Sequence, residues 1–155
     1  MALILLSDWQ KSQVEFWRKT EFEGYDVSSF GRVRSYWTRK IGHGAKHLWE
    51  IGAQPKILNQ QPSWQGYLRV YLRVNGVRRC FFSHRVVAKA FIANTARLPE
   101  VNHKTTLNSD NRVDNLEWQT RSGNASHAKA SGVLSTKRKG YVKLTADAVR
   151  DVRRH

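Results

Sequence analysis

Val101-Asn102-His103-Lys104-Thr105-Thr106-Leu107-Asn108-Ser109-Asp110-Asn111-Arg112-Val113-Asp114-Asn115-Leu116-Glu117-Trp118-Gln119-Thr120-Arg121-Ser122-Gly123-Asn124-Ala125-Ser126-His127-Ala128 is the stretch on which the fold turns. Residues 101–106 and 115–120 predict two short strands around the polar loop 107–114. Thr120 or Ser122 then offers a hydroxyl oxygen to the start of a helix. That helix is expected to end before Gly132, which can take the positive φ of a helix stop. The unit reads strand, loop, strand, helix, with Leu116 and Trp118 in the core.

Upstream, Ser83 can cap a helix starting at His84, in which Val86, Val87, Ala90 and Phe91 recur at helical spacing, with an end near Asn94. Before it, residues 67–74 alternate strictly. Leu68, Val70, Leu72 and Val74 fall on one face and Tyr67, Arg69, Tyr71 and Arg73 on the other. Asn75-Gly76 follows, a pair that tolerates the positive φ of a type I′ turn, so residues 77–82 are expected to return as the partner strand. Residues 22–35 read as small strands joined by turns at Gly24, Ser28-Ser29 and Gly31. From Arg34 to Gly52 no period is evident and a loop is expected, ordered only on a nucleic acid. His43 and His47 in it have no carboxylate or cysteine partner and read as solvated. His84 reads as a structural residue at a helix start. Cys80, the single cysteine, excludes an intramolecular disulfide and a cysteine zinc site, and is expected as a small core residue.

The chain has 155 residues and a formal charge of +15. So much self-repulsion is not a source of stability, and a polyanionic partner is its usual reason. The distribution is uneven: residues 1–30 carry a net −2, 31–97 a net +12, 98–130 zero and 131–155 a net +5. A near-neutral block between basic ones suits phosphate-gripping surfaces around a site with another task. A ribosomal-style basic protein without an active site would share the charge but not the block. With 40% hydrophobic and 25% charged residues, and no apolar run long enough to span a bilayer, the composition is that of a soluble globular protein. Met1–Leu6 is too short for a secretory segment and reads as a buried strand or an end segment. A cytoplasmic location, in a bacterial host of a phage-encoded protein, is the expectation.

The 101–128 stretch resembles the HNH nuclease motif in the branch found in phage and intron-encoded homing endonucleases. Tyr25-Asp26-Val27-Ser28 with Gly31-Arg32-Val33-Arg34-Ser35 resembles a short module, of the NUMOD4 kind, that precedes such domains. Ser83-His84-Arg85-Val86-Val87-Ala88-Lys89-Ala90-Phe91 resembles the helix that lies just before the motif. The resemblance implies an α+β protein with a ββα-metal (His-Me finger) core, a small β-rich N-terminal DNA-binding module and a β-hairpin. It implies a metal-dependent DNA endonuclease, with nicking as one mode open to it, holding one divalent ion, Mg2+ or Mn2+. His103 matches the general base, a role imidazole suits because it titrates near neutrality. Asn102 and Asn124 match the metal-ligand positions, and oxygen donors suit those ions. His127 stands three residues after Asn124 on the same helical face, as a third ligand, a phosphate contact or a packed histidine. Asn115 matches the asparagine that braces the loop. Asn102 departs from the aspartate or histidine that many members carry there, and a neutral amide holds a dication less firmly.

Three segments are expected: 1–60, the N-terminal module and loop; 61–132, hairpin, helix and nuclease core; 133–155, a basic linker and the start of a C-terminal DNA-binding helix that runs off the chain end, as if a longer chain were cut. Double-stranded DNA is the expected partner, gripped by Arg32, Arg34, Arg69, Arg73, Arg78, Arg79, Lys104, Lys137, Arg138 and Lys139. A monomer with no membrane contact is expected. A DNA-binding relative without activity, and a structure-selective or RNA-cutting nuclease, are the rivals.

Overall fold

In the computed structural model, residues 14–41 and 47–132 are described. The readings made for Met1–Leu6, for His43 and for residues 133–155, including Lys137, Arg138 and Lys139, lie outside them. The chain is α+β, as expected. An antiparallel sheet is formed in chain order by β1 (Trp17–Lys19), β2 (Tyr25–Ser28), β3 (Val33–Ile41) and β4 (His47–Ile57). A second contains β5 (Gln61–Pro62), β6 (Leu68–Val74) and β7 (Val77–Phe82), and is followed by helix α1 (Ser83–Phe91). The last unit pairs β8 (Glu100–His103) with β9 (Leu116–Gln119) and continues into helix α2 (Arg121–Ala130).

One core joins the three sheets. Val27 and Val33 of the first, Val70 and Leu72 of the second, and Val101 and Leu116 of the third close around Val86, Val87 and Ala88 of α1. The helix is buried on this face because its apolar residues recur at 3.6-residue spacing. Trp118 packs at the edge of the core and donates its Nε1–H to the carbonyl of Ile92 at 2.9 Å.

The β6–β7 hairpin follows its alternation. Val70 and Leu72 are fully buried, and Asn75 and Gly76 take φ of 51° and 77°. The return strand brings one correction, at Cys80, and it places Arg79. Cys80 stands opposite Tyr71 on the outer face and is exposed, not a core residue. Arg79 stands opposite Leu72, so it projects from the other face than Arg69, Arg73 and Arg78, because directly paired residues share a face.

The segment 34–52 is not a loop. Val33–Ile41 and His47–Ile57 pair over most of their length, with a bulge between Ser35 and Trp37. The period is invisible in the sequence because the far end of this ribbon has no dry side: Leu48, Trp49 and Ile51 are 60%, 43% and 46% exposed. His47 therefore lies on a strand, not in a loop. Helix α1 also differs in detail. Ser83 is already helical and its buried Oγ has no partner among the described residues, so it caps nothing. The helix stops at Phe91, and Asn94 instead ties the following loop, its side chain bonding to both the N–H and the carbonyl of Leu98. In α2, by contrast, the Thr120 hydroxyl accepts the Gly123 N–H at 3.0 Å, the expected cap.

Candidate active site

His103 ends β8 and is 4% exposed. Its ring lies 5.0 Å from that of His84 and 5.7 Å from that of Tyr67. Its Nε2 is 3.1 Å from Asn111 Oδ1. An amide oxygen only accepts, so Nε2 carries the proton and the lone pair is left on Nδ1. Burial lowers the His103 pKa below the ordinary histidine value of 6.5, opposed by the Asn111 hydrogen bond and the negative charge of Asp110. The imidazole is thus neutral at pH 7 and able to take a proton.

Asn111 was not singled out from the sequence. It is 3% exposed, and its Nδ2 is buried without a partner among the described residues. Leaving such a donor unmet costs about 1–3 kcal/mol, a cost of the kind found at functional sites. Asn111 is held from behind by the β2–β3 turn. A Cβ built on Gly31, whose φ is +84°, would come within 2.7 Å of Asn111 Cβ and 2.8 Å of its backbone. Val113 N–H donates to Ser29 O at 3.0 Å, and the Arg112 guanidinium sits 4.4 Å above the Phe30 ring. The N-terminal sheet thereby fixes the loop that orients the base. Gly31 was visible in the sequence as a turn residue, but what it touches was not.

Asn115 is 6% exposed. Its Oδ1 accepts the Thr105 N–H and its Nδ2 donates to Asp110 O, at 2.9 and 2.8 Å, bracing both ends of the 104–110 loop.

Asn102 stands opposite Glu117 in the β8–β9 register, on the other face from Val101 and Leu116 of the core. It is 5% exposed and donates Nδ2–H to Glu117 Oε1 at 2.8 Å. Helix α2 packs on β8, and its half-buried stripe is Gly123, Asn124, His127 and Ala128. Asn124 and His127 therefore share the face that the helix turns inward.

Among the described residues no three His, Cys, Asp or Glu side chains converge as a metal set. The candidate donors are instead amide oxygens, Asn102 Oδ1 and Asn124 Oδ1, with one carboxylate directly behind the first. A hard oxygen-seeking ion such as Mg2+ or Mn2+ suits this set, while a thiolate- or imidazole-seeking one does not.

The basic residues divide. Arg34 is turned inward, bonding Asp26 Oδ2 at 3.0 and 2.8 Å beside Tyr36 and stacking over Trp17. Arg32 pairs with Glu15. Lys104 Nζ donates to Asp114 O. Arg73 lies 4.4 Å over Trp49 and Arg78 4.1 Å over Tyr71, on the outer face shared with Arg69. Arg73 and Arg78 are held by aromatic rings, and neither they nor Arg69 pair with a carboxylate among the described residues.

His84 is the other buried imidazole. Burial first, then the neighbouring His103 and Arg85 charges, push its pKa down to about 3, and its Nδ1 has no partner among the described residues. A lowered histidine pKa means that the unfolded chain binds more protons than the folded one at pH values between about 3 and 6.5. Stability is therefore fully present above pH 6.5 and falls as the pH drops through that window, by roughly 3–5 kcal/mol in total. Urea denaturation from pH 7 to pH 4 is expected to show this slope, and His84→Leu to flatten it. An unchanged slope would show that His84 titrates normally in the fold.

No family model matches the chain. The chain is 32% identical over 124 residues to "Uncharacterized HNH endonuclease L245" of Acanthamoeba polyphaga mimivirus, covering 79% of this chain and 32% of that protein. It is 30% identical over 136 residues to "Uncharacterized HNH endonuclease L247" of the same virus, covering 83% of this chain and 29% of that one. The chain spans about a third of the length of these relatives. A solved structure described as "DNA binding and cleavage by the HNH homing endonuclease I-HmuI" superposes with a TM-score of 0.57 at 28% identity, over 77% of this chain and 61% of that one.

Proposed function

We propose that this chain is an HNH endonuclease, as its likeness in sequence and fold supports, and that it hydrolyses phosphodiester bonds of double-stranded DNA with one divalent ion and His103 as general base. The observation that carries the reading is the His103–Asn111 pair. A neutral imidazole is buried at the end of β8, its Nε2–H anchored and its Nδ1 lone pair left for a water.

Nδ1 of His103 takes the proton of the attacking water, and the Nε2 bond to Asn111 keeps the ring in that tautomer and orientation. Asn115 keeps the loop carrying Asn111 at a fixed distance from β8. Asn102 on β8 and Asn124 on α2 would hold the ion through their amide oxygens, with His127 on the same face of α2 as Asn124. When bound, the ion supplies charge neutralisation at the scissile phosphate and the leaving oxygen. Arg69, Arg73 and Arg78 grip the backbone from the outer face of the hairpin, with Arg79 on its other side; Lys104 is placed at the loop. Arg32 contributes its solvent-facing edge, while Arg34 serves the module's own structure. Lys137, Arg138 and Lys139 of the basic linker would add phosphate contacts. A monomer with one site cuts one strand per encounter.

Labelled duplex DNA, single-stranded DNA and duplex RNA of one sequence test this reading. Cleavage of the DNA duplex above the other two is expected, and equal or faster cutting of RNA would replace DNA as the substrate. With Arg73→Ala, binding weakens and the slope of log K against log salt falls by about 0.9, one phosphate's worth of counterion. An unchanged slope would place this face of the hairpin away from DNA.

A further inference from the structure

One carboxylate stands directly against the candidate ligand Asn102: Glu117 lies across the ribbon from it and takes one of its amide hydrogens at 2.8 Å. A carboxylate can only accept, so it can face only the nitrogen end of the amide. The Asn102 oxygen is thereby turned away from Glu117, and it makes no hydrogen bond among the described residues. With Asn102 buried to 5% exposure, this single contact decides which end of the amide is presented.

We propose that Glu117 is the positioning residue of the metal site: it locks the Asn102 amide with Oδ1 outward and supplies, one bond removed, the negative charge that the neutral Asn102 lacks. The inference rests on the reading of Asn102 as a ligand. A hydrogen bond from an amide to an anion also draws electron density onto the amide oxygen, making it a better donor to a cation. The chain would thus carry its ligand and its charge on two opposed residues of β8 and β9 rather than on one.

Sequence spacing alone hides this arrangement, since the two residues are fifteen positions apart and meet only through the register Asn102↔Glu117. Glu117 is half-buried and outside the core, so its isosteric replacement by glutamine leaves the ribbon intact. Glutamine can donate as well as accept, so it removes both the charge and the lock on the amide.

The test is Mn2+ affinity of the DNA-free protein, followed by the free-ion EPR signal, with thermal melting as the check on folding. Glu117→Gln is expected to weaken Mn2+ binding about 10-fold or more, as loss of a supporting partner does elsewhere, with an unchanged melting temperature. Asn102→Asp in that background, which moves the carboxylate onto the ligand position itself, is expected to restore binding to at least the parent level. A Glu117→Gln protein that binds Mn2+ like the parent would overturn the inference while leaving the metal site standing. A double variant no better than Glu117→Gln would also overturn it, by showing that the charge does not act through Asn102. A parent that binds no Mn2+ and cuts no DNA at any concentration would overturn the metal reading itself, and this inference with it.

Discussion

His103→Ala is expected to reduce DNA cleavage by at least about 10²-fold while leaving DNA affinity within a few fold. The imidazole is buried and its one N–H is bonded to Asn111, so it has no donor left for a phosphate, and in the proposed reaction its free lone pair serves the water. Its pKa, held down mainly by burial, adds a second signature: the acid limb of the rate profile is expected below pH 6.5, because the base stays deprotonated there. Cleavage rates on plasmid and binding by fluorescence anisotropy, measured on the same preparation, separate the two effects. Parallel loss of both would make His103 a structural residue.

Gly31→Ala is expected to damage stability and catalysis together, although the residue lies in the N-terminal sheet. Its φ of +84° costs an alanine about 1–2 kcal/mol. The new methyl would meet Asn111 at 2.7–2.8 Å, partly against backbone that cannot turn aside, and overpacking of this kind costs about 1–3 kcal/mol more. A melting-temperature drop on the order of 10 °C follows. The displaced atoms carry the partner of His103 Nε2, so folded protein is expected to cut about 10²-fold more slowly. Gly76→Ala provides the control: it shares the positive φ but meets nothing within 4 Å, and its rate is expected to stay near that of the parent. If Gly31→Ala only destabilised, with full activity below its melting point, the β2–β3 turn would not govern the base.

Much of this was legible in the chain itself. Where one face of an element is buried and the other wet, the period survives: residues 68–74, the Asn75-Gly76 turn and the apolar stripe of α1 were readable for that reason. The ribbon of residues 33–57 was not, because its far end is exposed on both sides and holds Trp49 only against Arg73. The exposure of Cys80 follows from a register that hydrophobicity does not encode. At the site, His103, Asn115 and Asn124 were marked by the resemblance of the 101–128 stretch to the HNH motif. Asn111 and Glu117 were not, since their roles exist only through contacts formed across the loop and across the strand pair.

Supercoiled plasmid incubated with the parent chain and Mg2+ or Mn2+, with and without a chelator, tests the nuclease reading most directly. Conversion to open circles that stops on chelation and is lost in His103→Ala is the expected result. Plasmid that stays supercoiled with either ion, although the protein binds it, would contradict the account and leave a DNA-binding protein that keeps the fold without its chemistry.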